Sequence, residues 1–184
     1  GELLFCNDAE LVPDEDQTTL LSAFRQFLDE GGSGRLVLLG EGEARTELER
    51  QARQLGLDGR VFFSGSADAV LPKLRASDVF VVSSRTAGPS ARILDSMALA
   101  RPVVATSTGG SVDLVEHEES GLLVPAEDPR ALARAFGDLQ ESAATRQRMG
   151  LAGQRRVVEF DLQRTVRRTI DAYQELFPAH DARP

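Results

Sequence analysis

Short apolar runs of strand length recur along the chain, and each is followed by a segment with the apolar spacing of an amphipathic helix. The predicted strands are Leu3 to Cys6, Leu36 to Leu39, Val61 to Phe63, Val79 to Val82, Val103 to Ala105 and Leu122 to Val124. Because these runs are continuously apolar, we expect burial on both faces, as in a parallel sheet.

The predicted helices are Thr19 to Leu28, Ala44 to Leu55, Val70 to Ala76, Ala91 to Leu99, Val112 to Glu116, Arg130 to Leu139, Thr145 to Glu159 and Leu162 to Phe177. Six strand–helix units in succession predict an α/β fold, a Rossmann-like doubly wound six-stranded parallel sheet flanked by helices. The commonest strand order for such a sheet is 3-2-1-4-5-6, which places a ligand outside the carboxyl ends of strands 1 and 4. The loops at that point are Asn7 to Asp16 and Ser83 to Ser90.

The amino-acid composition excludes some classes of binding partner for this protein. The formal net charge of −8 over 184 residues argues against binding to nucleic acid or to an anionic membrane surface, since both require a basic face. No apolar run is long enough to cross a membrane, and no signal peptide precedes the first strand. A single cysteine, Cys6, cannot form an intramolecular disulfide. We therefore expect a cytoplasmic protein of one main domain.

The second loop leads into a predicted helix through Gly88, Pro89 and Ser90, residue types that suit a helix start. Free backbone N–H groups and the positive end of the helix dipole make such a terminus an anion site. The alternative is a capped helix with nothing bound. In the same helix Asp95 follows Arg92 by three residues, so an ion pair explains both, whereas a carboxylate near the switch point also suits the two hydroxyls of a ribose.

The first loop carries five carboxylates and no basic residue: Asp8, Glu10, Asp14, Glu15 and Asp16. Each acid about 5 Å from a diphosphate opposes it by roughly 3 kcal/mol before salt screening. Three interpretations are open, namely a solvated turn, a site where Mg²⁺ bridges the acids to phosphate, and a site that no longer binds anions.

Other candidate sites are weaker. Gly40 and Gly42, like Gly109 and Gly110, lie in loops after strands and allow a close backbone approach to a ligand. His117 and His180 have no Cys or second His nearby and are expected on the surface. No catalytic arrangement of Ser, His and Asp, or of Cys and His, is defined by the sequence, so no catalytic residue is predicted.

Two stretches together resemble the C-terminal, donor-binding domain of GT-B glycosyltransferases, specifically the family-4 retaining class. They are LVLLGEGEARTELERQARQLGLDGRVFFSGSADAVLPKLRASDVFVVSSR and LDSMALARPVVATSTGGSVDLVEHEESGLLVPAEDPRALARAF. The resemblance implies one half of a GT-B fold that grips a nucleoside diphosphate sugar. A second, N-terminal domain holds the acceptor in such enzymes, and we expect it to be missing here because the chain opens almost directly on the first strand.

The resemblance also assigns site residues. The family's two donor-site glutamates, separated by seven residues, fall on Ala87 and Asp95, and its Phe-Gly pair falls on Pro89 and Ser90. The arginine and lysine that neutralise the diphosphate fall on Glu10 and Glu15, two charge reversals. The implied nucleotide-sugar site is Gly40, Gly65, Ser66, Ala67, Arg85, Ala87, Gly88, Pro89, Ser90, Ala91, Arg92 and Asp95.

Two functions follow as hypotheses. The first is a donor-side domain that moves a hexosyl group from a nucleoside diphosphate sugar, stabilising the departing diphosphate electrostatically through Arg85, Arg92 and the helix start. The second is a degenerate, non-catalytic binding or scaffold subunit, which Ala87, Glu10 and Glu15 favour. A relative of the nucleotide-sugar epimerases is a third and weaker alternative.

The predicted domain division places the Rossmann-like unit at residues 1–160 and a C-terminal helix at 161–184, which crosses to the absent N-terminal domain. The apolar residues of that helix are then short of a surface to cover: Leu162, Val166, Ile170, Tyr173 and Phe177.

Overall fold

The computed structural model of the chain describes residues 1–65, 70–86 and 91–176. Its strands are β1 (Leu3–Asp8), β2 (Gly34–Leu39), β3 (Val61–Ser64), β4 (Val79–Val82), β5 (Val103–Thr106) and β6 (Gly121–Val124). Its helices are α1 (Gln17–Asp29), α2 (Arg45–Gln54), α3 (Val70–Ala76), α4 (Ala91–Ala98), α5 (Ser111–Leu114), α6 (Pro129–Glu141), α7 (Ala143–Arg156) and α8 (Leu162–Leu176). Short 3₁₀ helices cover Pro13–Glu15 and Val157–Phe160.

The strands form one six-stranded sheet in the order β3-β2-β1-β4-β5-β6, and every pairing between them is parallel. The predicted fold class and strand order are therefore confirmed, with the switch point between β1 and β4. In register, Phe5 lies opposite Leu36 on one side and Val79 on the other.

Two boundaries differ from the sequence expectation in ways that affect the site. Strand β1 continues through Asn7 and Asp8, which pair with Leu38 and Leu39, so the first loop begins two residues later than predicted. Asn7 is buried and donates its side-chain N–H to the carbonyl of Val81 at 2.9 Å, which holds the end of β1 against β4. Near the C-terminus, α7 ends at Arg156 and gives way to the 3₁₀ helix, whereas one continuous helix was expected.

The sheet is covered on both faces, as the apolar strands require. Residues of β1 alternate between two cores: Phe5 packs on the α1 and α6 side, and Cys6 packs on the side of α4. Around Phe5 the rings of Phe24, Phe27 and Phe136 have centroids 4.7–5.9 Å apart. Removing one such ring costs about 3–5 kcal/mol in well-packed cores, so this cluster is a main source of the domain's stability.

Helix α8 differs from the others because it presents its apolar residues to solvent. The exposed fraction is about half or more for four of its apolar residues, from 49% at Val166 to 75% at Leu162; the other two are Ile170 and Tyr173. Phe177 lies outside the described residues. Among the residues that are described, no helix combines the length and the apolar character needed to span a membrane.

Candidate functional site

A cleft of about 620 Å³ lies at the carboxyl ends of β1 and β2, beside the switch point. Its described lining is Asp8, Ala9, Glu10, Val12, Gly40, Glu41, Gly42, Val70 and Arg92. The volume falls within the 300–1,000 Å³ typical of small-molecule sites. The predicted site residues Ser66, Ala67, Ala87, Gly88, Pro89 and Ser90 lie outside the described residues.

The floor of the cleft is made by two loops whose backbones touch. The N–H of Ala9 donates to the Leu39 carbonyl at 3.1 Å, and the N–H of Leu11 donates to the Glu41 carbonyl at 2.9 Å. Gly40 has φ +137°, and a Cβ built there lies 2.0 Å from the Ala9 carbonyl oxygen. The close approach predicted for Gly40 is therefore made to the protein's own backbone, although the residue does line the cleft.

The first loop is also attached to the end of β4. The hydroxyl of Ser83 donates to the Glu15 carbonyl at 2.8 Å, and the hydroxyl of Ser84 donates to the Asp14 carbonyl at 3.1 Å. Arg85 completes the attachment, since its backbone N–H donates to the carbonyl of Asp14 and its Nη2 donates to the carbonyl of Pro13. The guanidinium of Arg85 also faces a Glu127 oxygen at 3.4 Å, so the described contacts of this residue are structural.

Arg92 is the basic residue of the cleft lining. Its Nε lies 2.7 Å from Oδ2 of Asp8, at the end of β1, and its Nη1 donates to Oδ2 of Asp95 at 2.9 Å. The contact with Asp8 is an ion pair without hydrogen-bond alignment, because Oδ2 accepts no hydrogen bond from the described residues. The i,i+3 ion pair between Arg92 and Asp95 is thus present, and the ribose contact of Asp95 stays a prediction.

Burial and neighbouring charges perturb the acids near the cleft. Burial raises the pKa of Asp8, and the charge of Asp95 adds to the rise, while Arg92 and Lys73 oppose it. Burial also raises the pKa of Glu15, with the charge of Glu10 acting in the same direction.

The thiol of Cys6 lies behind Asp8 on the same strand. Burial, together with the charge of Asp8, raises its pKa to about 12. This thiol therefore stays protonated and inert in the native protein.

The five acids between Asp8 and Asp16, the first of which ends β1, have separate roles. Asp16 caps α1, because its side chain accepts the N–H of Thr19 at 3.3 Å. Glu10 and Asp14 are exposed, and only Glu10 of this pair lines the cleft. Within residues 1–65, 70–86 and 91–176, no group of three or more His, Cys, Asp and Glu side chains comes together as a metal site. The Mg²⁺ interpretation of this loop finds no ligand cluster there.

The remaining predicted residues lie around the cleft. Ala91 is the exposed first residue of α4. Gly65 follows β3, and a Cβ there would lie 2.1 Å from a carboxylate oxygen of Glu41, so the Glu41 side chain lies directly over it. Two residues near the cleft were not predicted as site residues, namely Glu41 and Lys73, whose Nζ donates to the Ser64 hydroxyl at 2.8 Å. The sequence offered one signal for Lys73, which is that it is the only lysine of the chain.

A six-stranded doubly wound parallel sheet with a ligand-sized cleft at its switch point defines a Rossmann-like α/β domain. The chain belongs to a specific family within that class: the model described as "Glycosyl transferases group 1" matches residues 2–142. The predicted resemblance is confirmed, and the fold is that of the C-terminal half of GT-B glycosyltransferases.

Individual relatives agree with this assignment. The putative glycosyltransferase EpsD of Bacillus subtilis is 29% identical over 165 residues, covering 90% of this chain and 43% of that protein. The D-inositol 3-phosphate glycosyltransferase of Salinispora tropica is 36% identical over 143 residues, covering 77% of this chain and 30% of that protein.

Among solved structures, Anabaena HepE in complex with UDP-glucose superposes with a TM-score of 0.82 at 26% identity, covering 94% of this chain and 49% of that one. Sucrose-phosphate synthase from Thermosynechococcus elongatus gives a TM-score of 0.87 at 28% identity, covering 97% of this chain and 46% of that one. The chain thus spans less than half the length of the relatives that it matches.

Proposed function

We propose that this domain binds the nucleoside diphosphate part of a nucleotide sugar in the cleft and acts as the donor side of a retaining, hexosyl-transferring glycosyltransferase. The observation that carries the proposal is the position of the cleft, which the cation Arg92 lines, at the carboxyl ends of β1 and β2 beside the switch point. The likeness to HepE, whose structure holds UDP-glucose, supports the same ligand class.

The predicted site residues other than Gly40 and Arg85 then have these roles. Arg92 and the backbone that leads into α4, residues 87–91, meet the diphosphate, where positive groups stabilise the charge that develops on the leaving group. Asp95 binds ribose hydroxyls through Oδ1, because Arg92 already contacts its Oδ2. Gly65, Ser66 and Ala67 lie near the base. The chemistry requires no group on this domain to attack the sugar, so no catalytic nucleophile is assigned.

A second candidate function is a non-catalytic member that has kept the fold and lost its anion site. The favouring observation is the charge of the lining: Asp8, Glu10 and Glu41 are acidic, and Arg92 is already paired with carboxylates on two sides. In this alternative the paired Arg92 stabilises the protein and binds nothing.

Isothermal titration with UDP, GDP and ADP and their sugars, each with and without Mg²⁺, distinguishes the two. A donor site gives micromolar binding that Asp95→Ala abolishes and that Asp138→Ala, an exposed acid on α6, leaves unchanged. Absence of binding to every nucleotide by folded protein, in a two-domain chain as well, overturns the donor proposal and leaves the non-catalytic one. Binding only in the presence of Mg²⁺ identifies a metal ion that bridges the diphosphate to the carboxylates of the first loop.

We further propose that residues 1–160 form the donor unit and that the helix at 161–184 packs on an acceptor-binding N-terminal domain of the whole enzyme. The exposed apolar stripe of α8 supports this arrangement. Val166→Asp with Ile170→Asp should lower the melting temperature of a two-domain chain by several degrees and leave that of this domain unchanged. An equal effect in both would contradict the arrangement.

Cytoplasmic location is part of the proposal. The one cysteine, Cys6, is a buried free thiol. A chain without disulfides suits a reducing compartment.

A further inference from the structure

We propose that Asp8 is a positioning residue that orients the guanidinium of Arg92 in the cleft, so that Arg92 serves as the anion-binding cation of the site. This inference rests on the proposed function. It assigns a role to a carboxylate that, by charge alone, opposes the binding of a diphosphate.

The geometry of the guanidinium carries the argument. A guanidinium is a flat, rigid group with donors on three nitrogens, so contacts at two of them determine where the third lies. Asp8 contacts Nε at 2.7 Å from strand β1, and Asp95 accepts from Nη1 at 2.9 Å from within α4. Nη2 donates to no residue that the structure describes. Arg92 lines the cleft with 42% of its side chain exposed, so this nitrogen is the one left for a ligand.

Asp8 has no other described structural task. Asp16 caps a helix, whereas Asp8 ends a strand whose first four residues are apolar and keeps only 14% of its side chain exposed. The charged groups that face it are Arg92 and Asp95 on α4 and Lys73 on α3, with the thiol of Cys6 on its own strand. Burying a carboxylate is unfavourable unless a cation compensates, and Arg92 is the cation in contact.

Two interpretations of Asp8 predict opposite changes in anion affinity when its charge is removed. If Asp8 acts only through its field, Asp8→Asn reduces repulsion and strengthens the binding of an anion. If Asp8 orients Arg92, the same change weakens binding although it removes a negative charge. Glu10 is the matched control, because it lines the same cleft, is exposed and holds no described cation.

The experiment is calorimetric titration of UDP into wild type, Asp8→Asn, Glu10→Gln, Arg92→Gln and the Asp8→Asn/Arg92→Gln double variant. We expect Asp8→Asn to weaken binding about tenfold and Glu10→Gln to strengthen it, since the ion pair that orients Arg92 is lost in the first case only. In the Arg92→Gln background, Asp8→Asn should produce no further loss. Tighter binding by Asp8→Asn, or losses that simply add, overturns the inference.

A second measurement needs no ligand and separates this inference from the proposed function. The Nε–H group of Arg92, its resonance assigned by its absence in Arg92→Gln, should show the nitrogen relaxation of an ordered side chain in wild type and of a mobile one in Asp8→Asn. Unchanged relaxation in Asp8→Asn overturns the positioning role. Absence of UDP, GDP and ADP binding by wild type, in a two-domain chain as well, overturns the proposed function, and the resonance still decides whether Asp8 holds Arg92. Thermal unfolding confirms that each variant is folded.

Discussion

Gly40→Ala tests whether the cleft is built on a backbone contact that only glycine allows. Two effects add at this position. An alanine at φ +137° is strained by about 1–3 kcal/mol, and its Cβ would lie 2.0 Å from the Ala9 carbonyl oxygen, so the backbone must move. That movement weakens the 3.1 Å hydrogen bond from Ala9 to Leu39, which contributes about 1 kcal/mol.

The sum is a loss of about 2–4 kcal/mol in the free energy of unfolding. For a domain of this size it corresponds to a melting temperature lower by roughly 4–16 °C. Differential scanning calorimetry measures the change. Ala9 lies between Asp8 and Glu10, so nucleotide affinity should fall in the same variant.

Two other glycines separate strain from steric contact. Gly31 has φ +92° and nothing within 4 Å of a built Cβ, so Gly31→Ala should lower the free energy of unfolding by only about 1 kcal/mol. Gly137 lies inside α6 with equally open space, so Gly137→Ala should raise it by about 0.5–1 kcal/mol. A Gly40→Ala variant that melts within 2 °C of Gly31→Ala would refute the contact with Ala9.

Three further predictions concern the charges and the thiol. Native Asp8 keeps its proton to a higher pH than the unfolded chain, so wild type loses stability as the pH rises through that raised pKa. The melting temperature of Asp8→Asn relative to wild type should therefore increase as the pH rises above about 4. Melting-temperature profiles that stay parallel over pH would disprove this. Cys6, with its pKa raised to about 12, should not react with a thiol reagent at about pH 8 until urea unfolds the chain; rapid native labelling would contradict its burial. Glu10→Arg with Glu15→Lys should raise UDP affinity about tenfold, and unchanged affinity in calorimetry would mean that these acids do not face the diphosphate.

The fold could be predicted because its determinants are local. Each strand is a short apolar run, the segments between them have helical spacing, and the commonest order of such a sheet is the one observed. The end of β1 was missed because Asn7 and Asp8 are polar. Their partners, Val81 and Arg92, lie 74 and 84 residues away, and no pattern within the strand reveals them.

The site was predictable only in part for the same reason. The Arg92–Asp95 pair follows from helical spacing, since residues three apart are neighbours. The direction in which Arg85 reaches depends on where the loop at Pro13 lies, which is a tertiary property. Gly40 illustrates the limit well: a glycine after a strand indicates a close approach, and only the structure shows that the approaching group is Ala9.

The way the first loop is attached to β4 bears on how such a site evolves. Ser83, Ser84 and Arg85 donate to carbonyl oxygens of the loop, at residues 13–15, and every residue type supplies a carbonyl oxygen. The path of the loop is therefore largely insensitive to which side chains it carries. Mutation can exchange basic residues for acidic ones in this loop while the fold persists. The ligand preference of the domain can therefore change faster in evolution than its fold.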